Sequence, residues 1–229
     1  MPAQHHSLAM DMSRAYAHER GFCSLGVQPL NRDYGDTSYR HQELTMRQWE
    51  AALTADDRRV LKVARDLYLH FPLEGGCYHL SFFLACYLRE RFGIKGHAEV
   101  GFVNDGTSAL HPSHAWYVLD GRITDIALSR PVNPTENWRG PLTILGRDII
   151  PGWQYSYYTD NSLKGTKIIN EMLRFQAQHG YAALPGSRKL HIKMAALAKS
   201  YISMRTYLGN AIAGYTYHEM ADILDKKQM

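Results

Sequence analysis

Cysteine is scarce in this chain. Cys23, Cys77 and Cys86 are three in 229 residues, an odd number without regular spacing. That excludes a disulfide framework and reads as reduced thiols of a cytoplasmic protein. Long apolar runs are missing too. No uncharged stretch approaches the ~18 residues that span a bilayer, and Asp11, Arg14 and Glu19 stand where a secretory signal would carry its apolar centre. A soluble chain with no membrane attachment is expected. Nor is there a large excess of one charge. The net +4 lies in the tail: residues 160–229 hold ten Lys/Arg against five Asp/Glu, and the first 159 residues hold 16 against 17. The tail positives Arg188, Lys189, Lys193 and Lys199 are spaced as a solvated helix face and no nucleic-acid motif accompanies them, so nucleic acid is not expected as a partner. Internal repeats and low-complexity segments are likewise absent.

What is present is ordinary globular composition, 45% hydrophobic and 21% charged, and length for one full domain with a helical appendage. Three regions are expected: an N-terminal arm of unassigned order at 1–53, a core at 54–159 and a C-terminal helical extension at 160–229. In the core, "TADD" at 54–57 reads as a capping-box variant that opens a helix with Val60, Leu61, Ala64, Leu67 and Tyr68 on one face, stopped near Pro72. A second helix runs from Cys77 to Phe92, with Leu80, Leu84, Leu88 and Phe92 as its i, i+4 stripe and Gly93 as its stop. Residues 94–103 alternate as a strand. Asp120-Gly121 then marks a hairpin between two further strands. Residues 128–159, with Pro131, Pro134, Pro141 and Pro151, predict a wrapping loop with short strands at most.

From about Leu163 the pattern is helical. Leu190, Met194, Leu197, Tyr201, Met204, Leu208 and Ala211 alternate by four and three, a heptad-like seam. The short "GYAALPGS" link favours an intramolecular hairpin with Ile168, Met172 and Phe175. The competing expectation is a protein partner or self-association through the 186–215 helix.

Chemistry is suggested by the placement of Cys77. Cysteine is no preferred N-cap, yet a helix N-terminus stabilises a thiolate. With a two-residue turn at 120–121, Leu119 opposes Arg122 and Trp116 opposes Asp125, which makes His114 and Asp125 diagonal neighbours on one face. The carboxylate would fix the imidazole tautomer and leave the other ring nitrogen for Cys77, on the helix that must pack on this sheet. Trp116 shares the face and is expected to pack over the pair. Gly75 and Gly76 are expected to line the site, letting a substrate backbone approach Cys77 and leaving its N–H unencumbered. Cys86, mid-helix, reads as core. A zinc centre drawn from Cys77, His79, His111, His114 and Asp125 is disfavoured, since Cys77 and His79 do not share a helix face and His111-x-x-His114 straddles Pro112. No metal and no cofactor are expected.

"GGCYHLSFFLACYLRERFGIKGHAEVGFV" followed by "HAWYVLDGRITDI" resembles the core of the transglutaminase-like superfamily of papain-like cysteine enzymes, over roughly residues 54–130. The short spacing is similar to that of the leader-cleaving cysteine proteases of lasso-peptide biosynthesis, and "GGC" with "DGR" gives a weaker likeness to arylamine N-acetyltransferases. The resemblance implies an α+β papain-like fold, with a Cys-bearing helix on an antiparallel sheet. It also implies a triad of Cys77 as nucleophile, His114 as base and Asp125 as orienter. The expected activity is hydrolysis of a peptide or carboxamide in a peptide or protein substrate through an acyl-thioester. Acyl transfer to an amine, or a binding module with the catalysis lost, are the alternatives. One departure stands out: the family often carries an oxyanion-hole Gln shortly before the Cys, and "HFPLEGG" has none, leaving Gln42 or Gln48 to be brought in by the fold.

Overall fold

The computed structural model describes residues 45–107, 112–131, 139–159, 166–167, 170–171, 174, 178, 185–211 and 213–228. It divides into two compact units, Met1–Arg59 and Val60–Met229. The first contributes helix α1 at 45–52 and the opening turn of α2 (Ala55–His70). That turn is a reciprocal cap: Asp57 N–H donates to Thr54 Oγ1 (3.1 Å), and Thr54 N–H donates to Asp57 Oδ2 (3.2 Å).

The second unit is α+β. Helix α3 (Cys77–Phe92) ends on Gly93 in the left-handed conformation, φ 69°. The sheet comprises β1 (His97–Asn104), β2 (Ser113–Leu119), β3 (Arg122–Thr124) and β6 (Ser156–Thr159), antiparallel in the order β3-β2-β1-β6. A separate ribbon joins β4 (Leu142–Ile144) to β5 (Arg147–Ile150). Helices α4 (Pro185–Ala198), α5 (Tyr201–Gly209) and α6 (Tyr217–Gln228) complete it. Asp120 and Gly121 both have positive φ (50° and 73°), the two-residue turn whose twist suits a hairpin. The strands pair Leu119 with Arg122 and Tyr117 with Thr124, the register a turn at 120–121 dictates. Among the described residues of 128–159 the strands are short: β4, β5 and β6.

Two expectations require correction. Helix α3 was expected to bury one stripe; instead Cys77 and every residue from His79 to Leu88 are buried. The sheet covers one side and the C-terminal helices the other, so His79 and Ser81 are enclosed as fully as Leu80 and Leu84. The heptad-like seam was expected to run along one helix at 186–215. The helix breaks at Lys199–Ser200, where the Ser200 side chain caps α5 by accepting from Ser203 N–H. Met194, Met204 and Leu208 are then buried within their own chain, while Leu190 is 48% exposed. The expected pairing with Ile168, Met172 and Phe175 lies outside the described residues.

Glu90 explains why the C-terminal helices belong to the same unit. Its carboxylate accepts from Tyr201 and from Arg205 (2.7 Å) on α5, and from Tyr217 (2.7 Å) on α6. The Arg205 guanidinium also lies over the Tyr217 ring, 3.3 Å from its centroid. On either side of Glu90 along α3, Arg91 and the Tyr87 hydroxyl both donate to Asp225 of α6. Burial of the Glu90 carboxylate opposes its ionisation, but the three donors outweigh that and hold its pKa below the usual range. Glu90→Ala is expected to destabilise by ~2–3 kcal/mol, because three partly buried donors lose one acceptor together. Urea unfolding at neutral pH measures this.

Candidate active site

Cys77 is the first residue of α3 and is 8% exposed. The preceding glycines each have a local cause. Gly75 turns the chain with φ 62° and donates its N–H to Arg130 O (3.1 Å). Gly76 is the N-cap; a Cβ there would meet Leu73 Cβ at 2.7 Å. With glycine at that place no side chain caps α3, and no acid occupies its first turn. The Arg130 side chain is itself anchored, donating to Tyr68 O (2.7 Å) and lying over the Tyr68 ring. The segment that follows Asp125 therefore returns to hold the loop that precedes Cys77.

His114, 7% exposed, is the second residue of β2. Its Nε2 donates to Asp125 Oδ2 at 2.6 Å. The Cys77 sulfur lies near enough to the ring to act on its charge, and with Nε2 taken by Asp125 Nδ1 is the nitrogen left for it. Burial alone would lower the imidazole pKa; the Asp125 carboxylate and the Cys77 sulfur outweigh it and raise the pKa to about 10. Asp125, 1% exposed, stands just beyond β3, where it bridges to Thr143 of β4. Its Oδ1 accepts from the N–H groups of Ala127 (2.9 Å) and Leu128 (3.3 Å). Its Oδ2 accepts from His114 and from the Tyr157 hydroxyl (3.0 Å). Four donors fill the carboxylate's lone-pair positions, so its orientation is fixed. Trp116 packs beside the pair, its ring near-parallel to His114 with centroids 6.3 Å apart.

Ser113, not His114, lies on the helix-packed face of β2, and Tyr78, not Cys77, meets it there, hydroxyl to hydroxyl at 2.6 Å. Ser113 also bonds His191 Nδ1 on α4, whose ring stacks on Phe102. Cys77 and His114 are each one residue away from this contact. The Tyr78–Ser113–His191 chain thus holds the two backbones together from the opposite face of the strand.

Sequence reasoning missed Tyr78, Ser113, His191 and Tyr157. Local pattern offered no signal for them, since each acts across a non-local pairing. Gln48 falls in α1 of the first unit and is exposed; Gln42, Cys23 and His111 lie outside the described residues. Among the described residues, no group of three or more His, Cys, Asp or Glu is arranged to hold a metal ion, and no helix is long and apolar enough to cross a membrane. A cleft of about 310 Å³ lined by Arg122, Ile123, Thr143, Asp148, Tyr155 and Tyr157 lies on the Asp125 side of the site rather than over Cys77.

The other described cysteine and the nearest other histidine differ from this pair. Cys86 is fully buried, and burial pushes its thiol up to about 12, an inert core group. His79 is 2% exposed, and among the described residues neither ring nitrogen has a side-chain hydrogen-bond partner. Burial lowers its pKa to about 4, the Tyr215 main chain opposing only weakly. An unfolded histidine titrates near 6.5, so as pH falls the unfolded chain takes up the proton first. His79 is therefore expected to cost about 2 kcal/mol of stability between about pH 7.5 and pH 5. His114 works in the opposite sense. The folded chain holds it protonated throughout that window while the unfolded histidine titrates near 6.5, so it gains stability as pH falls and offsets part of the loss. Urea unfolding at both pH values should show a smaller acid loss for His79→Leu.

Comparison of the chain with family models, curated proteins and solved structures gives no match.

Proposed function

We propose that this protein is a cysteine hydrolase with a papain-like, transglutaminase-like core, acting in the cytoplasm on a peptide or carboxamide bond of a peptide or protein. The single observation that carries the reading is the buried imidazole of His114, hydrogen-bonded to the Asp125 carboxylate at 2.6 Å and with the Cys77 sulfur close enough to act on its charge. In this reading the Cys77 sulfur is the nucleophile and the His114 imidazolium stands beside it as its counter-charge. The sulfur attacks the carbonyl carbon, and the first-turn N–H groups of α3, which no side chain caps, stabilise the oxyanion in place of a Gln side chain. His114 passes its proton to the leaving nitrogen, the C–N bond breaks, and an acyl-thioester remains. Water then attacks the thioester with its proton going to His114, and the acid leaves with the sulfur restored as thiolate. With an amine in the place of water, the same intermediate would give transamidation.

Iodoacetamide at neutral pH, with the labelled cysteine mapped by mass spectrometry, tests the nucleophile. Cys77 is expected to label selectively over Cys86. A peptide pool is then expected to leave acyl adducts on Cys77, and the masses of released products distinguish water from amine as acceptor. Equal, slow labelling of the cysteines would overturn the enzyme reading and leave a binding module.

A further inference from the structure

Tyr157 and Asp125 belong to opposite edges of one sheet. Tyr157 is on β6, at one end of the strand order, and Asp125 follows β3 at the other. Three strand spacings of ~4.8 Å separate those edges in a flat sheet, about 14 Å, well beyond the reach of a phenol. Yet the Tyr157 hydroxyl donates to Asp125 Oδ2 at 3.0 Å. The sheet is therefore curled until its edges approach, and this hydrogen bond closes the curl. Pairing parity places the groups on one concave face. Tyr157 opposes Val103, and Gly101, two residues before Val103, opposes His114. Trp116, two residues after His114, meets the Tyr157 ring edge-on at 5.0 Å. The phenol stays a donor, since burial first and the Asp125 charge second push its pKa far above the ordinary tyrosine range.

We infer that Tyr157 is a positioning residue for the triad: by sharing Asp125 Oδ2 with His114 Nε2, it sets both the angle of the carboxylate and how strongly that carboxylate holds the imidazolium proton. This inference rests on the proposed cysteine-hydrolase reading. A carboxylate oxygen that accepts two hydrogen bonds divides its negative charge between them. Removing the phenol O–H concentrates that charge on His114, which then releases its proton to a leaving group less readily. It also removes the only donor among the described residues that reaches the carboxylate from the β6 edge.

Tyr157→Phe keeps the ring against Trp116 and deletes the hydroxyl, so a purely packing role predicts no kinetic change. The pH profile of kcat/KM is expected to show its alkaline limb raised by ~0.5–1 pH unit, with kcat lowered about tenfold and KM unchanged. The rate of iodoacetamide labelling at Cys77, followed over the same pH range, provides a readout independent of any substrate, and its His114-dependent step is expected to move in the same direction. An unaltered labelling profile in Tyr157→Phe, with Cys77 of the parent protein still labelling selectively, overturns this inference alone. Absence of selective labelling in the parent protein overturns the hydrolase reading and this inference with it.

Discussion

His114→Ala is expected to slow iodoacetamide labelling of Cys77 about thirtyfold at pH 7, because an ordinary thiol carries only ~3% thiolate there. Cys86 is the internal control: its thiol is pushed up to about 12 by burial, and its labelling should not respond. Turnover should fall further than labelling does, by ~10²–10⁴, since the leaving nitrogen loses its proton donor as well. The parent protein has a matching pH signature. On the proposed mechanism the protonated ring is the form that serves the leaving group; burial opposes protonation, but Asp125 and Cys77 raise its pKa to about 10. Activity is therefore expected to persist from neutrality to an alkaline limb near that value, far above an ordinary histidine. A limb near pH 6.5 would mean that His114 is not held between the two partners.

Gly101→Ala is expected to destabilise by ~3 kcal/mol and to reduce activity in the fraction that folds. A Cβ at this place would meet Tyr158 O at 2.2 Å and the Trp116 ring at 2.8 Å. The ring could shift, but the Tyr158 carbonyl is backbone of the neighbouring strand and cannot move without breaking the β1–β6 pairing. Gly101 opposes His114 on one side and Thr159 on the other, so the same displacement moves the strand that carries Tyr157. Urea unfolding measures the first effect. A variant as stable as the parent would mean that β6 adapts freely to β1.

Features legible in the sequence were those written in short-range chemistry. The Thr54–Asp57 cap, the Gly93 stop and the Asp120-Gly121 turn each fixed an element locally. The turn also set the register that brings Asp125 beside His114. What local pattern could not supply was the surroundings of α3. An i, i+4 stripe of Leu80, Leu84 and Leu88 is consistent with one buried face and carries no information on what covers the other. Only the later helices, through Glu90 and Asp225, enclose that second face. The tail misled for a related reason. Its four-and-three spacing passes through Lys199–Ser200 uninterrupted, although Ser200 is a good N-cap and the helix ends there. Tyr157 was illegible because nothing in "QYSYYT" says which strand it will join, or that the sheet will curl to bring it to Asp125.

The Glu90 and Asp225 contacts also bear on how the protein comes into being. Tyr87 and Asp225 are 138 residues apart, and Glu90 and Tyr217 are 127 apart. During synthesis the helix that carries Cys77 emerges long before the residues that cover its second side. Closing such distant contacts is slow, and until it happens an apolar helix has only half its cover. A chain interrupted before α6 would thus present Phe83 and Tyr87 to its surroundings. It would be expected to aggregate or be degraded rather than to persist as a folded fragment, which ties the housing of Cys77 to synthesis of the chain as far as Asp225.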